Sequence, residues 1–256
     1  MDFIQDFSDS RLKAWCIQCG NGLATSKTNR DHVPTKSLLQ KPYPSNLPVI
    51  TICTSCNLSF SSDEQYFVTF LSCVLSGSTI PEKQVIKSAE GALKRSPRLR
   101  KLIEHSKSSF LQKDGTKTPL WKAAAKRLEN VVVKNARGHA FYEMSETLFE
   151  TPKSIWFGPL EYLTKEDQEK FTAVNAYNHF PEIGSRLSAR ILTSEHQYNY
   201  WIDVQNGIYS YVVDYAGGDI KVRSLIHDYL VTEVIWSGDD NIPEKELPIY
   251  FAKKSN

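Results

Sequence analysis

Cys16-Ile17-Gln18-Cys19 and Cys53-Thr54-Ser55-Cys56 are two CxxC knuckles separated by 33 residues, and their reading decides the fold of the N-terminal part of the chain. Four thiolates complete a tetrahedral zinc site with no open coordination position. Such a site staples a segment that has too little apolar core of its own and does no chemistry itself. The competing use of CxxC is a redox pair, which needs one knuckle at a helix N-terminus within an α/β pattern, and the sequence offers no such context. Structural Zn²⁺ on Cys16, Cys19, Cys53 and Cys56 is the expectation. The fifth cysteine, Cys73, falls on the apolar face of a predicted helix and reads as a buried core thiol.

Between the knuckles the chain reads Asn29-Arg30-Asp31-His32-Val33-Pro34, then Ser45-Asn46-Leu47-Pro48, and Asn57 follows the last cysteine directly. In this order and spacing the residues resemble the zinc-stapled HNH endonuclease family, over about residues 16–64. The resemblance implies a ββα-metal unit. Asp31-His32 would end its first strand, residues 49–52 would lie in the second, and Asn57 would open the helix that runs on through Phe67. It also implies roles: His32 as general base, Asp31 and Asn57 as ligands of one Mg²⁺ or Mn²⁺ ion, and Asn46 as the residue that holds the His32 loop. The family's third letter is often His and commonly Asn, and here it is Asn57. The implied reaction is phosphodiester hydrolysis leaving a 5′-phosphate and a 3′-hydroxyl, in DNA more than in RNA. Asp63-Glu64 stand further along the same helix, where a carboxylate could join the metal shell. Acids near a helix N-terminus also answer the helix dipole, and that plainer reading is preferred for this pair.

The chemistry asks for these residue types whatever the family. Hydrolysis needs an activated water, and a histidine near neutral pKa takes its proton at cellular pH. A hard cation prefers oxygen ligands, which a carboxylate and an amide carbonyl provide, and it stabilises the charge on the leaving oxygen. Adjacent Asp31 and His32 point to opposite faces of a strand, so both serve one site only where the strand ends or twists, as Pro34 suggests. Taken singly, Asn and Asp beside Pro are ordinary turn residues, and His32 could satisfy a backbone group or join the zinc shell. Their weight comes from occurring together around the paired cysteines.

The bulk properties fit one or two globular domains: 256 residues, 41% hydrophobic and 23% charged. No apolar run reaches the ~18 residues of a membrane span. The residues from Met1 to Asp6 lack a basic and an apolar signal region, so a cytosolic location is expected. Net charge is uneven. Residues 1–75 carry six Lys/Arg against six Asp/Glu, residues 76–140 fifteen against five, and residues 141–256 ten against eighteen, which gives 0, +10 and −8 within the overall +2. The basic middle is the natural phosphate grip, through Lys94, Arg95, Arg98, Arg100, Lys101, Lys122, Lys126 and Arg127. The alternative is a solvated helix face. Such contacts position a duplex without reading its bases.

Apolar spacing predicts a helix over 62–75 ending near Ser76-Gly77, a helical turn opening at Pro81, and basic helices within 82–106 and 119–135. Beyond 146, β-branched and aromatic runs predict strands at 155–157, 190–192, 198–204, 208–214 and 231–236, with Gln205-Asn206-Gly207 as a hairpin turn. The whole reads as an α+β protein: a nuclease unit with structural zinc at 1–76, a basic helical segment at 77–145, and a mixed, β-containing domain of unknown role at 146–256. The acidic last part repels a phosphate backbone. Its aromatics, Trp156, Trp201 and Trp236 among them, read as core or as a surface for a protein partner or a second copy. His139, His179, His196 and His227 have no ligand spacing and read as structural. Defence against foreign DNA is a further expectation from the resemblance. The alternative function is a catalytically silent zinc-ribbon module that binds nucleic acid or protein.

Overall fold

The computed structural model describes residues 4–111, 115, 117–174, 181–193, 201–216, 219–239 and 245–253. Among them are six α-helices and three antiparallel sheets. The first sheet is a hairpin of β1 (Thr28–His32) and β2 (Val49–Cys53), in a register that pairs Thr28 with Cys53 and His32 with Val49. The chain enters helix α1 (Thr54–Ser76) directly from β2, with Cys53 as its N-cap residue. This helix starts eight residues before the one predicted from periodicity. Its buried run, Tyr66 to Val74, occupies only the second half, so the first turns carry no apolar stripe to read.

Helices α2 (Lys87–Arg95) and α3 (Pro97–His105) follow the short turn that Pro81 opens, and Ser96 caps α3 by accepting the Leu99 N–H. Their apolar sides, Ala89, Ala92, Leu93, Leu99 and Ile103, join the core under α1. The expected helix over 119–135 is corrected at its start. Residues 117–122 form β4, paired with β3 (Lys107–Leu111) on one side and β10 (Tyr250–Ala252) on the other. The run Thr118-Pro119-Leu120-Trp121 explains this. Thr118 and Trp121 favour a strand although Pro119 does not, and Trp121 inserts fully into the core. Helix α4 then runs from Ala125 to Met144, nine residues past the expected end, because that stretch is buried between the hairpin and the C-terminal sheet.

The third sheet has the order β5-β9-β8-β7-β6, from β5 (Ser154–Pro159), β6 (Ile202–Gln205), β7 (Tyr209–Ala216), β8 (Asp219–Ile226) and β9 (Leu230–Trp236). The expected turn at 205–207 joins β6 to β7. The strand expected at 190–192 is instead part of helix α6 (Arg186–Thr193), whose buried Leu187, Ser188, Arg190 and Ile191 recur at helical spacing. Of the strand expected over 198–204, residues 198–200 lie outside the described residues. Helix α5 (Lys165–Thr172) was not expected, and neither was β8.

One cluster of buried apolar residues extends from Leu38 to Phe251, through α1 to α4, α6 and the five-stranded sheet. A second, small cluster holds Cys16, Ile17, Val33, Ile50, Ile52, Cys53 and Tyr142. The hairpin thus has a core of seven residues, one lent by α4, which is the shortage of apolar burial that a metal staple offsets. Of the histidines, His139 is buried with Nε2 2.9 Å from the Tyr209 hydroxyl, and His227 lies 3.1 Å from the Leu38 carbonyl oxygen. His179 and His196 lie outside the described residues. Trp236 is buried, Trp156 and Trp201 half-buried. Among the described residues no helix is long and apolar enough to cross a membrane.

Candidate metal and active site

The two knuckles meet. The Sγ atoms of Cys16, Cys19, Cys53 and Cys56 all lie within 4.8 Å of one another, and Cys19 and Cys53 are 3.7 Å apart. Zn–S bonds of ~2.3 Å in a tetrahedron put sulfurs ~3.8 Å apart, so four cysteines can hold a zinc ion here with little movement. The first knuckle is built by its turn. Gly20 N–H donates to the Cys16 carbonyl at 2.8 Å, and Gly20 takes φ +73°, a region a side chain rarely adopts. The second knuckle is built by the strand-to-helix junction, since Cys53 ends β2 and Cys56 lies in the first turn of α1. The positive end of the helix dipole favours thiolates there. Cys53 is lowered to about 6, led by the Ser55 hydroxyl 3.2 Å away, while burial and the neighbouring thiols push Cys56 up. Sulfurs so close ionise together only around a cation.

Cys73 is fully buried in α1, and burial pushes its thiol up to about 12.

Asp31 and His32 end β1 at the far end of the hairpin from the thiols. Asp31 is buried, 7% exposed, and His32 half-buried, as alternation along a strand dictates. Burial and the charges of Lys36, Arg30 and Lys134 lower His32 below its usual 6.5, so its ring is neutral at neutral pH. Asp31 Oδ1 accepts from Lys134 Nζ at 2.8 Å, and the same ammonium donates to Glu64 Oε1 at 2.6 Å. The Thr35 hydroxyl also donates to Glu64, at 2.8 Å, while the Thr35 N–H donates to Asn135 Oδ1 at 3.1 Å. Asp31 Oδ2 is buried and has no hydrogen-bond partner among the described residues.

Asn57 is half-buried in the early turns of α1 and shares a helix face with Phe60 and Glu64 by its spacing of three and seven residues. That face is turned to Lys134, whose Nζ is 6.0 Å from the Phe60 ring centre. An orphaned buried carboxylate oxygen and an amide oxygen fit a hard cation's donor chemistry. Asn46 is half-buried in the loop before β2. Of the acid pair, Asp63 accepts from Arg127 and Asn130, both at 2.8 Å, and belongs to the α1–α4 contact, whereas Glu64 shares the Lys134 ammonium with Asp31.

The basic residues are divided by their partners. Lys94 pairs with Glu90 at 2.7 Å and Glu82 at 3.3 Å, Lys126 with Glu129, and Arg127 with Asp63. Arg95, Arg98, Arg100, Lys101 and Lys122 are exposed. Lys134, Thr35 and Asn135 were missed by sequence reasoning. The signal was available: Lys134 interrupts the run Val131-Val132-Val133 and Ala136 inside a helix whose one other lysine, Lys126, faces water. Compared with family models, with curated proteins and with solved structures, the chain finds no match. What its residues establish is a mixed α/β protein with four clustered cysteines that can hold zinc.

Proposed function

We propose that the chain is a metal-dependent nuclease that hydrolyses phosphodiester bonds, DNA before RNA, with His32 as general base and Asp31 and Asn57 as ligands of a divalent cation. One observation carries the reading: Asp31, at the end of β1 beside His32, keeps a buried carboxylate oxygen without a hydrogen-bond partner among the described residues, while its other oxygen shares the Lys134 ammonium with Glu64 of α1. A divalent ion bound there supplies charge stabilisation for the leaving 3′-oxygen. His32 takes a proton from water, the water oxygen bonds to phosphorus, and the P–O3′ bond breaks with its electron pair leaving on O3′. Neutrality of the His32 ring suits it to that proton. The zinc thiolates hold the hairpin against α1, and the exposed Arg98, Arg100, Lys101 and Lys122 are the phosphate grip.

The test is cleavage of supercoiled plasmid, and of single-stranded DNA and RNA, by the zinc-loaded chain with and without Mg²⁺ or Mn²⁺, beside His32→Ala. Metal-dependent cutting that His32→Ala lowers by ~10²–10⁴-fold is the expected result. Equal cutting by the variant would remove His32 from the reaction. Binding of nucleic acid without any cutting would leave the zinc-stapled binding module in its place.

A further inference from the structure

Two members of the site, Lys134 and Asn135, come from outside the knuckle segment. Lys134 reaches in from α4 with its side chain 1% exposed, so it meets no substrate. A buried ammonium is costly unless paired, and this one is paired twice, with β1 through Asp31 and with α1 through Glu64. The two carboxylate oxygens it joins are no more than about 5.4 Å apart, the two hydrogen-bond distances laid end to end. A hard cation with bonds of ~2.1 Å spans such a gap after a small side-chain movement. The lysine therefore stands where a divalent ion between two carboxylates would otherwise be favoured.

We propose that Lys134 is a positioning residue that acts as a built-in cation, keeping a divalent ion out from between Asp31 and Glu64 and leaving Asp31 Oδ2 as the oxygen offered to it. The inference rests on the reading of Asp31 as a metal ligand. Its consequence is that removing the ammonium creates a tighter but displaced ion site, so that metal affinity and turnover move in opposite directions. A merely structural lysine would not do this. Its loss would lower stability, and turnover with it, without any gain in metal binding.

The experiment uses the zinc-loaded full chain as wild type, Lys134→Met, Lys134→Gln and the double variant Lys134→Met/Glu64→Gln. Mn²⁺ binding is followed by the loss of the free-ion paramagnetic resonance signal and by thermal unfolding, with cleavage measured in parallel. Expected is a gain in Mn²⁺ affinity of about ten-fold or more in Lys134→Met, since a unit positive charge within a few ångströms has gone. The double variant loses that gain, and turnover falls in both. Should the single variants be unfolded alone, Mn²⁺ restores their folding, because the ion takes the ammonium's place. Unchanged or weaker Mn²⁺ binding in a folded variant, or variants that stay unfolded at millimolar Mn²⁺, would overturn the proposal. A rise in affinity with no cutting by any form supports it and removes the nuclease reading. Cutting by wild type with no rise in affinity overturns the proposal alone.

Discussion

Gly138 of α4 and Val33, the residue after β1, are packed so closely that a Cβ on the glycine would stand 2.6 Å from Val33 Cγ2 and 2.9 Å from Cγ1. This approach seats α4 against the end of the hairpin, one turn from Lys134. Replacing a mid-helix glycine by alanine ordinarily gains up to ~1 kcal/mol. Here the sign reverses, and Gly138→Ala is expected to cost ~1–3 kcal/mol in urea unfolding, as overpacked cores do. A variant more stable than its parent would show that the two elements are not held this closely.

Metal analysis of the purified chain is expected to find one zinc per molecule bound by the four cysteines. The small hairpin cluster is separate from the main core, so stripping the zinc or making Cys56→Ser is expected to open residues 16–56 to protease while most far-ultraviolet dichroism remains. Zinc-free protein with an unchanged digestion pattern would contradict this.

The partners of the basic residues sort their effects on DNA affinity. Arg98, Arg100 and Lys101 have no carboxylate partner among the described residues, whereas Lys94 and Arg127 do. Replacing the first three by alanine is expected to reduce the slope of log affinity against log salt by up to ~0.9 for each phosphate that is no longer neutralised. Replacing Lys94 or Arg127 is expected to change it less. Anisotropy of a labelled duplex across a salt series measures both.

Stability should fall in mild acid through His139. Its ring stacks on Tyr211 with centroids 3.7 Å apart, and burial lowers it from 6.5 to about 3. The Tyr209 hydroxyl donates to Ser224 Oγ, so His139 Nε2 donates to that hydroxyl and Nδ1 has no partner among the described residues. Between pH 6.5 and 3 the unfolded chain binds a proton that the folded one refuses. The contribution is therefore whole above 6.5 and lost as pH falls toward 3, at up to ~1.4 kcal/mol per pH unit. Urea melts at about pH 7 and about pH 5, on either side of the usual histidine value, should show this loss, and His139→Phe should make it smaller.

The sequence made the cysteine cluster legible because zinc ligation demands fixed residue types at fixed spacing. The strand pair β1–β2 and the helix that follows it were readable only through the family resemblance, because residues 28–53 show little periodicity of their own. The turn at Gln205-Asn206-Gly207 and the strands at 155–157 and 231–236 were readable from composition. What failed were stretches whose state is set by distant packing. Residues 190–192 are β-branched and apolar in part, yet Arg190 pairs with Glu143 of α4 and the segment is helical. Residues 119–122 looked like a helix start, but they lie in β4, whose Trp121 is fully buried in the core. Lys134 was illegible for the deepest reason. Its partners, Asp31 and Glu64, are 103 and 70 residues away, and no local pattern announces an ion pair of that range.

Helix α4 meets two different clients along its length, the hairpin through Lys134, Asn135 and Gly138, and the C-terminal sheet through His139 and Glu143. Each residue turns a helix by about 100°. One residue inserted or deleted between Asn135 and His139 would therefore leave one client served and swing the other's side chains away. The helix can accept exchanges of side chain, but it cannot change length in that stretch, and the two halves of the molecule are bound to a common numbering.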